Sequence, residues 1–425
     1  MLFDFGAHSS LLLPAVVTGL VATGWLLLRA LRRTTLTDAL LALLLAVPTL
    51  SIAQQMLGYA GWYDSHDGYT TALFYGPWQL NLLLGPAYYL YFRSLTSQEF
   101  RLLPRAWWHL LPGLLQLGLV AGALGYDLLG LPGIGGPHLP YQVGTKGPAL
   151  AAAEVLSHYL GYAQYVLLPA YCWRVVVDYR RYTRYLNDNF SDTERLRFAG
   201  LRQVLLVQVL ALVLSQLFTL LNWKFGLSDA ASWYYFFLRG FLVYWLIAVG
   251  LQANYAAATT PLRFDALPDP PAAPDPAAEQ PPAPATDAPA APAPPAAPAP
   301  PAAGLPAAQL APELLAWRGK LLALMAEEQP WLEPELTLTE VAKRLRITPG
   351  LLSKVINAGC GQNFNDFVNA YRVLEAQRLL ADPRFAHYSL VGVALESGFN
   401  SRSTFNRVFK KMRGHAPSEL TRPKS

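Results

Sequence analysis

Seven stretches of about twenty residues, each nearly without charge, recur through the first 256 positions: 11–28, 36–57, 72–93, 107–129, 151–174, 200–223 and 232–254. A bilayer core about 30 Å thick is crossed by roughly twenty residues of helix, and a helix satisfies its own backbone where lipid offers no partner. The spacing therefore predicts a seven-helix transmembrane bundle over residues 1–256. The third and fifth runs are less clean, being interrupted by Asn81 and by Glu154 and His158. Composition agrees: 53% of the chain is hydrophobic and 14% charged, against about 25% charged in a soluble domain. Aromatic edges such as YYLYF (88–92) and SWYYFF (232–237) suit membrane interfaces. The first run is expected to be retained, because MLFDFGAHSS lacks Lys and Arg while Arg29, Arg32 and Arg33 follow, the reverse of a cleaved signal.

Loop charge orients the bundle. With the N-terminus outside, the inner loops hold eleven arginines: Arg29, Arg32, Arg33, Arg93, Arg101, Arg105, Arg180, Arg181, Arg184, Arg195 and Arg197. The outer loops hold only Lys146 and Lys224. This bias predicts inner loops on the cytoplasmic side, and an odd number of spans carries the C-terminus there too. Cys172 and Cys360 both fall on that side, so free thiols are expected. Residues 257–311 change character abruptly, holding 17 of the 35 prolines in runs such as APAPPAAPAPPAA. Such a stretch has little to bury and reads as an extended, disordered linker.

From 312 to 425 charge and helical periodicity return, and nothing alternates as a strand would. Two segments there resemble one another: LTEVAKRLRITPGLLSKVI (338–356) and LVGVALESGFNSRSTFNRVF (390–409). Each predicts a short helix, a tight turn and a second amphipathic helix, the pattern of a helix-turn-helix. Ala342 and Ala394 are small where two helices must cross closely. Thr348 and Ser401 are expected N-caps, with Pro349 at the favoured first position. Gly398 supplies the left-handed residue that ends a helix, whereas the first unit has Arg346 there, a costlier choice.

NDFVNAYRVLEAQRLL (365–380) and ESGFNSRSTFNRVFKKMRGHAPSE (396–419) are the stretches by which residues 313–421 resemble the AraC-type DNA-binding domain. The resemblance covers about a quarter of the chain. It implies two helix-turn-helix units joined by a long helix, recognition of double-stranded DNA and a role in transcription regulation. Eighteen or so residues of helix span about 27 Å, enough to set two reading helices near successive major grooves about 34 Å apart. The whole chain also resembles bacterial regulators in which this tail follows a multi-span membrane domain. That implies a multi-pass protein of the bacterial cytoplasmic membrane with its tail in the cytoplasm.

Charge fits DNA contact. From 397 onward there are seven Lys or Arg against one acid, Glu419, and phosphate neutralisation would make binding salt-sensitive. On the helix after Ser401, Phe405, Val408, Phe409 and Met412 share the apolar face. Arg402, Ser403, Asn406, Arg407 and Lys410 fall on the other, with Lys411 beside them, and Arg and Asn have the geometry for guanine and adenine edges. The first unit offers Ser353, Lys354 and Asn357, with Gly350 and Leu351 where polar readers would be expected. Base readout and phosphate positioning both stay open there.

Within the expected spans, Glu154, His158, Arg239 and Asn81 form a candidate polar site, joined by Gln54, Gln55, Gln79, Gln216 and Asn222. Such groups either shape an outward-facing pocket for a small-molecule or membrane signal, or bond helix to helix. Arg239 is expected to meet Glu154 or His158. No nucleophile arrangement, phosphate loop or metal-ligand spacing is present in the sequence, so neither an enzyme, a cofactor nor a metal is expected. The reading is a membrane-anchored, signal-coupled transcription factor that binds DNA, lipid and an unknown signal, and is open to homodimerisation. The rival is a transporter or membrane enzyme carrying a regulatory tail.

Overall fold

The structure, a computed structural model, describes residues 3–33, 35–64, 68–78, 80–96, 100, 104–127, 147–193, 199–226, 229–252, 311–385 and 387–419. Among them every regular element is a helix, apart from one isolated backbone bridge. Contacts divide the chain into two units. The first comprises Met1–Tyr179 and Phe198–Phe264, the second Arg180–Arg197 and Asp265–Ser425. The expected linker at 257–311 lies almost wholly outside the described residues.

The N-terminal unit is built from α1 (Ala7–Arg33), α2 (Leu36–Tyr59), α3 (Gly68–Leu73), α4 (Leu84–Thr96), α5 (Pro104–Asp127), α6 (Pro148–Gly161), α7 (Gln164–Asn189, of which Arg180 onward belongs to the second unit), α8 (Ala199–Phe225) and α9 (Asp229–Gln252). Helices α1 and α2 form a closely packed hairpin in which bare Gly19 lies directly on Thr49, the small-residue contact by which apolar helices approach each other. Where α1 ends and α2 begins, Arg29 Nε donates to Asp38 Oδ2 at 2.9 Å and a second guanidinium nitrogen to Oδ1. Asp38 thereby serves the positive end of α2 and Arg29 the negative end of α1. Large apolar side chains remain on the outside, including Leu20, Leu28 and Leu31 on α1 and Leu210, Val213 and Leu217 on α8. Water does not tolerate such continuous faces on a monomer.

Among the described residues, five helices are long and apolar enough to cross a membrane: Ala7–Arg33, Leu36–Tyr59, Ala106–Asp127, Leu206–Phe225 and Ala230–Gly250. The expectation of seven uninterrupted spans needs correcting at the third and fifth. Over 72–93 the helix stops at Leu73, the chain turns through Gly76 and Pro77, and helix resumes only as a 3-10 turn (Asn81–Leu83) leading into α4. The break is held by Trp62 Nε1 on the carbonyl of Thr70 (2.8 Å) and Trp78 Nε1 on that of Leu73 (2.5 Å). The run at 151–174 is likewise divided, between α6 and α7, and the second half of α7 is too polar to count. Asp127 caps α6 from outside it, accepting from Leu150 N at 2.8 Å and Tyr75 Oη at 2.9 Å.

The C-terminal unit contains α10 (Pro312–Glu327), α11 (Leu338–Leu345), α12 (Pro349–Lys354, extended by a π turn to Gly359), α13 (Phe364–Ala381), α14 (Leu390–Glu396) and α15 (Arg402–Arg413). Helix α13 joins two cores. Leu321, Trp331, Val341, Leu352, Ile356 and Phe367 belong to the first, and Ala376, Val393, Phe399, Phe405 and Phe409 to the second. Thr337 and Glu340 form a reciprocal capping box on α11, with Thr337 N donating to Glu340 Oε2 at 2.7 Å. Thr348 and Ser401 cap α12 and α15 as their sequence positions predict. The turns differ in cost: Arg346 holds a left-handed backbone at φ 57°, whereas the second turn uses Gly398 at φ 83°.

Gly398 has a second reason to lack a side chain. A Cβ there would stand 2.5 Å from the carbonyl oxygen of Trp331 and 2.9 Å from Leu332 Cα. Gly398→Ala should therefore destabilise the C-terminal unit by at least about 1–3 kcal/mol. Hydrogen exchange of α14 and α15 should rise correspondingly. Unchanged protection would mean that the turn relaxes at no cost.

Candidate nucleic-acid interface

Helix α15 earns its two faces from its sequence. Thr404, Phe405, Val408 and Phe409 are buried against α13 and α14, which turns Arg402, Ser403, Arg407 and Lys410 outward, with Asn406 half-buried between the faces. The start of the helix is pinned by Ser401, whose Oγ accepts from Thr404 N at 3.2 Å and pairs with Ser403 Oγ at 3.0 Å. Its end carries Lys410, Lys411 and Arg413 in the last turn, where the helix dipole favours cations, and closes on Gly414 at φ 81°. Lys411 is also tied back to α13, its Nζ lying 2.6 Å from Asp366 Oδ1. Exposed cations and amides on a rigid helix are what phosphate and base-edge contacts require.

The first unit presents less. Lys354 and Asn357 are exposed and Ser353 half-buried on α12 and its π turn. Asn357 Nδ2 donates to Ser353 Oγ at 3.3 Å, so these two act as one polar patch. Gly350 and Pro349 are exposed at the start of the helix. The sequence-predicted residues thus gather on two helices, one strongly basic and one weakly so.

Arg372 was not singled out by the sequence, yet the C-terminal unit is arranged around it. It is 1% exposed, on the buried side of α13. Its Nε donates to the carbonyl of Trp331 at 2.8 Å, and Nη2 donates to those of Glu333 at 2.6 Å and Pro334 at 3.3 Å. The guanidinium also lies 5.9 Å over the ring of Phe399. Burial pushes its pKa down to about 10, with Asp192 opposing, so it stays charged at neutral pH. Asn365, Asn400 and residues 190–192 were also missed. The available signal was a cation at a helix position where periodicity calls for an apolar residue.

The intramembrane candidates do not form one site. Glu154 and His158 line a cavity of about 750 Å³ together with Gln54, Trp78 and Gln116. Arg239 is elsewhere, against Pro48, Leu84 and Gln208, and donates to Ser51 Oγ and Tyr235 Oη, each at 3.4 Å. The expected meeting of Arg239 with Glu154 or His158 is therefore not what the fold builds. Hydroxyls on α2 and on its own helix accept from the guanidinium instead. Asn81 opens the 3-10 turn after the break in the third run. Among the described residues there is no group of His, Cys, Asp or Glu arranged to hold a metal ion.

Comparison with known proteins bears on the C-terminal unit alone. A family model described as a helix-turn-helix domain matches residues 341–423. An uncharacterized HTH-type transcriptional regulator of Bacillus subtilis (strain 168), YtdP, is 33% identical over 92 residues, 22% of this chain and 12% of that protein. The chain thus covers about an eighth of the length of the relative it matches. No solved structure matches.

Replacing Arg372 tests its structural role. Arg372→Ala leaves the carbonyls of Trp331 and Glu333 without this donor inside the unit, and should cost about 3–5 kcal/mol. Arg372→Lys should recover only part, because one ammonium cannot reproduce the planar fork. Denaturant unfolding of the three proteins would measure this, and equal midpoints would contradict it.

Proposed function

We propose that this chain is a membrane-anchored, sequence-specific DNA-binding transcription regulator of the AraC type, coupling a membrane or external signal to gene expression. The observation that carries the reading is the exposed basic face of α15, set on a packed core within a helix-turn-helix match. In this reading Arg402, Asn406 and Arg407 address base edges, while Lys410 and Lys411 address phosphates. Ser353, Lys354 and Asn357 position the first unit. Arg407→Ala should weaken specific binding by roughly 1–3 kcal/mol and relax preference at one base position. Uniform weakening with a shallower salt slope would reassign Arg407 to phosphate, and no salt-dependent binding by the parent protein would defeat the reading.

The membrane part rests on the five long apolar helices and their apolar outer faces. We place two further crossings, one over the broken run from α3 into α4 and one across the α6–α7 break, giving seven in all. Five and seven crossings are both odd, so either count puts the C-terminal unit opposite the N-terminus. Either count also puts residues 180–197 on the same side as that unit. A reporter fused after residue 260 should therefore read cytoplasmic. One fused after Lys146 should read external with seven crossings and cytoplasmic with five.

The cavity containing Gln54, Trp78, Glu154 and His158 supports a signal-binding role for the N-terminal unit, because acid, amide and aromatic groups converge on one space. The same cavity would serve a transporter. Substrate flux in vesicles that persists after removal of residues 312–425 would favour that rival.

A further inference from the structure

The end of α7 and the residues after it, Arg180 to Thr193, belong by their contacts to the C-terminal unit. The attachment is specific. Phe190 forms a backbone bridge with Thr337, and Ser191 N donates to the carbonyl of Leu336 at 3.1 Å. Asn365 Nδ2, on α13, donates to the carbonyl of Ser191 at 2.6 Å and to that of Phe190 at 3.2 Å. Arg372 Nη2 reaches Ser191 Oγ at 3.1 Å, and Asn400 Nδ2 reaches Asp192 Oδ2 at 2.9 Å. Phe190, Ser191 and Thr193 are all buried. One short segment therefore engages the cap of the first helix-turn-helix, the connecting helix, and the residue before the N-cap of α15.

Its position also bears on what the first unit can reach. Arg181, Arg184, Tyr185 and Asp188 share a cleft of about 430 Å³ with Pro349, Gly350 and Ser353. Pro349 and Gly350 are the exposed start of α12, the part of a reading helix that meets base edges, and Ser353 is half-buried one turn on. A major groove about 12 Å wide accepts one helix of roughly 10–12 Å diameter, and a second helix alongside fills the space the DNA needs. Asp192 places a carboxylate on Asn400 at the head of the second reading helix, where an approaching phosphate would be repelled.

We infer that residues 180–193 are an intramolecular partner of the DNA-binding domain, docked so that the first helix-turn-helix is withheld from DNA until the segment is released. The inference rests on the DNA-binding reading above. Both ends of the segment continue along the chain into α7 and α8 of the N-terminal unit, so a rearrangement there acts on the docking residues directly. Signalling then runs through α7 and α8 to the docked segment.

The test uses the full chain in lipid nanodiscs and a pool of random-sequence duplexes of about 30 base pairs, three helical turns. In Asp192→Cys/Asn400→Cys, a disulfide formed under oxidant locks the segment in place. The locked protein should bind DNA about tenfold more weakly than the same protein after reduction, while the parent, whose two cysteines are buried and unpaired, responds to neither treatment. A loosened variant, Phe190→Ala/Asp192→Ala, should bind about tenfold more tightly than the parent. Failure of the disulfide to form, or equal binding by locked and reduced protein, would overturn the inference. So would a loosened variant that binds no better than the parent, since the segment would then be a brace; this variant decides if the cysteine pair impairs binding in both redox states. Absence of salt-dependent binding in every form would instead remove the DNA-binding reading, and this inference with it.

Discussion

A guanidinium buried to 1% exposure sits at the junction of everything the C-terminal unit does. Removing a charge from water costs several kcal/mol unless its donors are all directed at acceptors. Arg372 directs Nε and Nη2 chiefly at backbone carbonyls, those of Trp331, Glu333 and Pro334. The turn between α10 and α11 is thus fastened to α13 in one orientation. The other side of the same turn receives Gly398, which has no room for a Cβ against Trp331 and Leu332. The two helix-turn-helix units therefore meet at one turn, which Arg372 and Gly398 both contact.

Local chemistry was the legible part of the sequence. Thr348 and Ser401 act as N-caps and Gly398 takes positive φ because caps and left-handed turns depend on residues close in sequence. Ala342 and Ala394 are fully buried where the helices of each unit meet. Arg372 escaped because periodicity treats any arginine as a surface residue, and only the carbonyls of a turn some forty positions earlier make it an interior one. The broken third span escaped for a related reason. A hydropathy run averages over Gly76 and Pro77, and it cannot register that Trp62 and Trp78 bond the carbonyls of Thr70 and Leu73 there. The expectation that Arg239 meets Glu154 or His158 rested on charge and position within the spans, while Ser51 and Tyr235 serve it with hydroxyls.

The proposed function joins two units that differ in solvent and in kind. The N-terminal one shows apolar side chains outward and places polar groups at breaks, at caps, in the cavity of Glu154 and His158 and around Arg239. The C-terminal one does the reverse, placing cations outward on α15 over an aromatic core. In the inferred coupling, the hydrogen-bonded seat of Ser191 and Asp192 is the element that docks and releases. A two-state element that both sites can bias is the physical requirement for coupling them.

The central claim is that this protein binds specific DNA while it remains in the membrane. Crosslinking the tagged full-length chain to DNA in intact cells, isolating the membrane fraction and sequencing the captured DNA tests it most directly. The account predicts discrete genomic sites sharing one sequence motif. Uniform background, or enrichment recovered only from a soluble fragment, would contradict it.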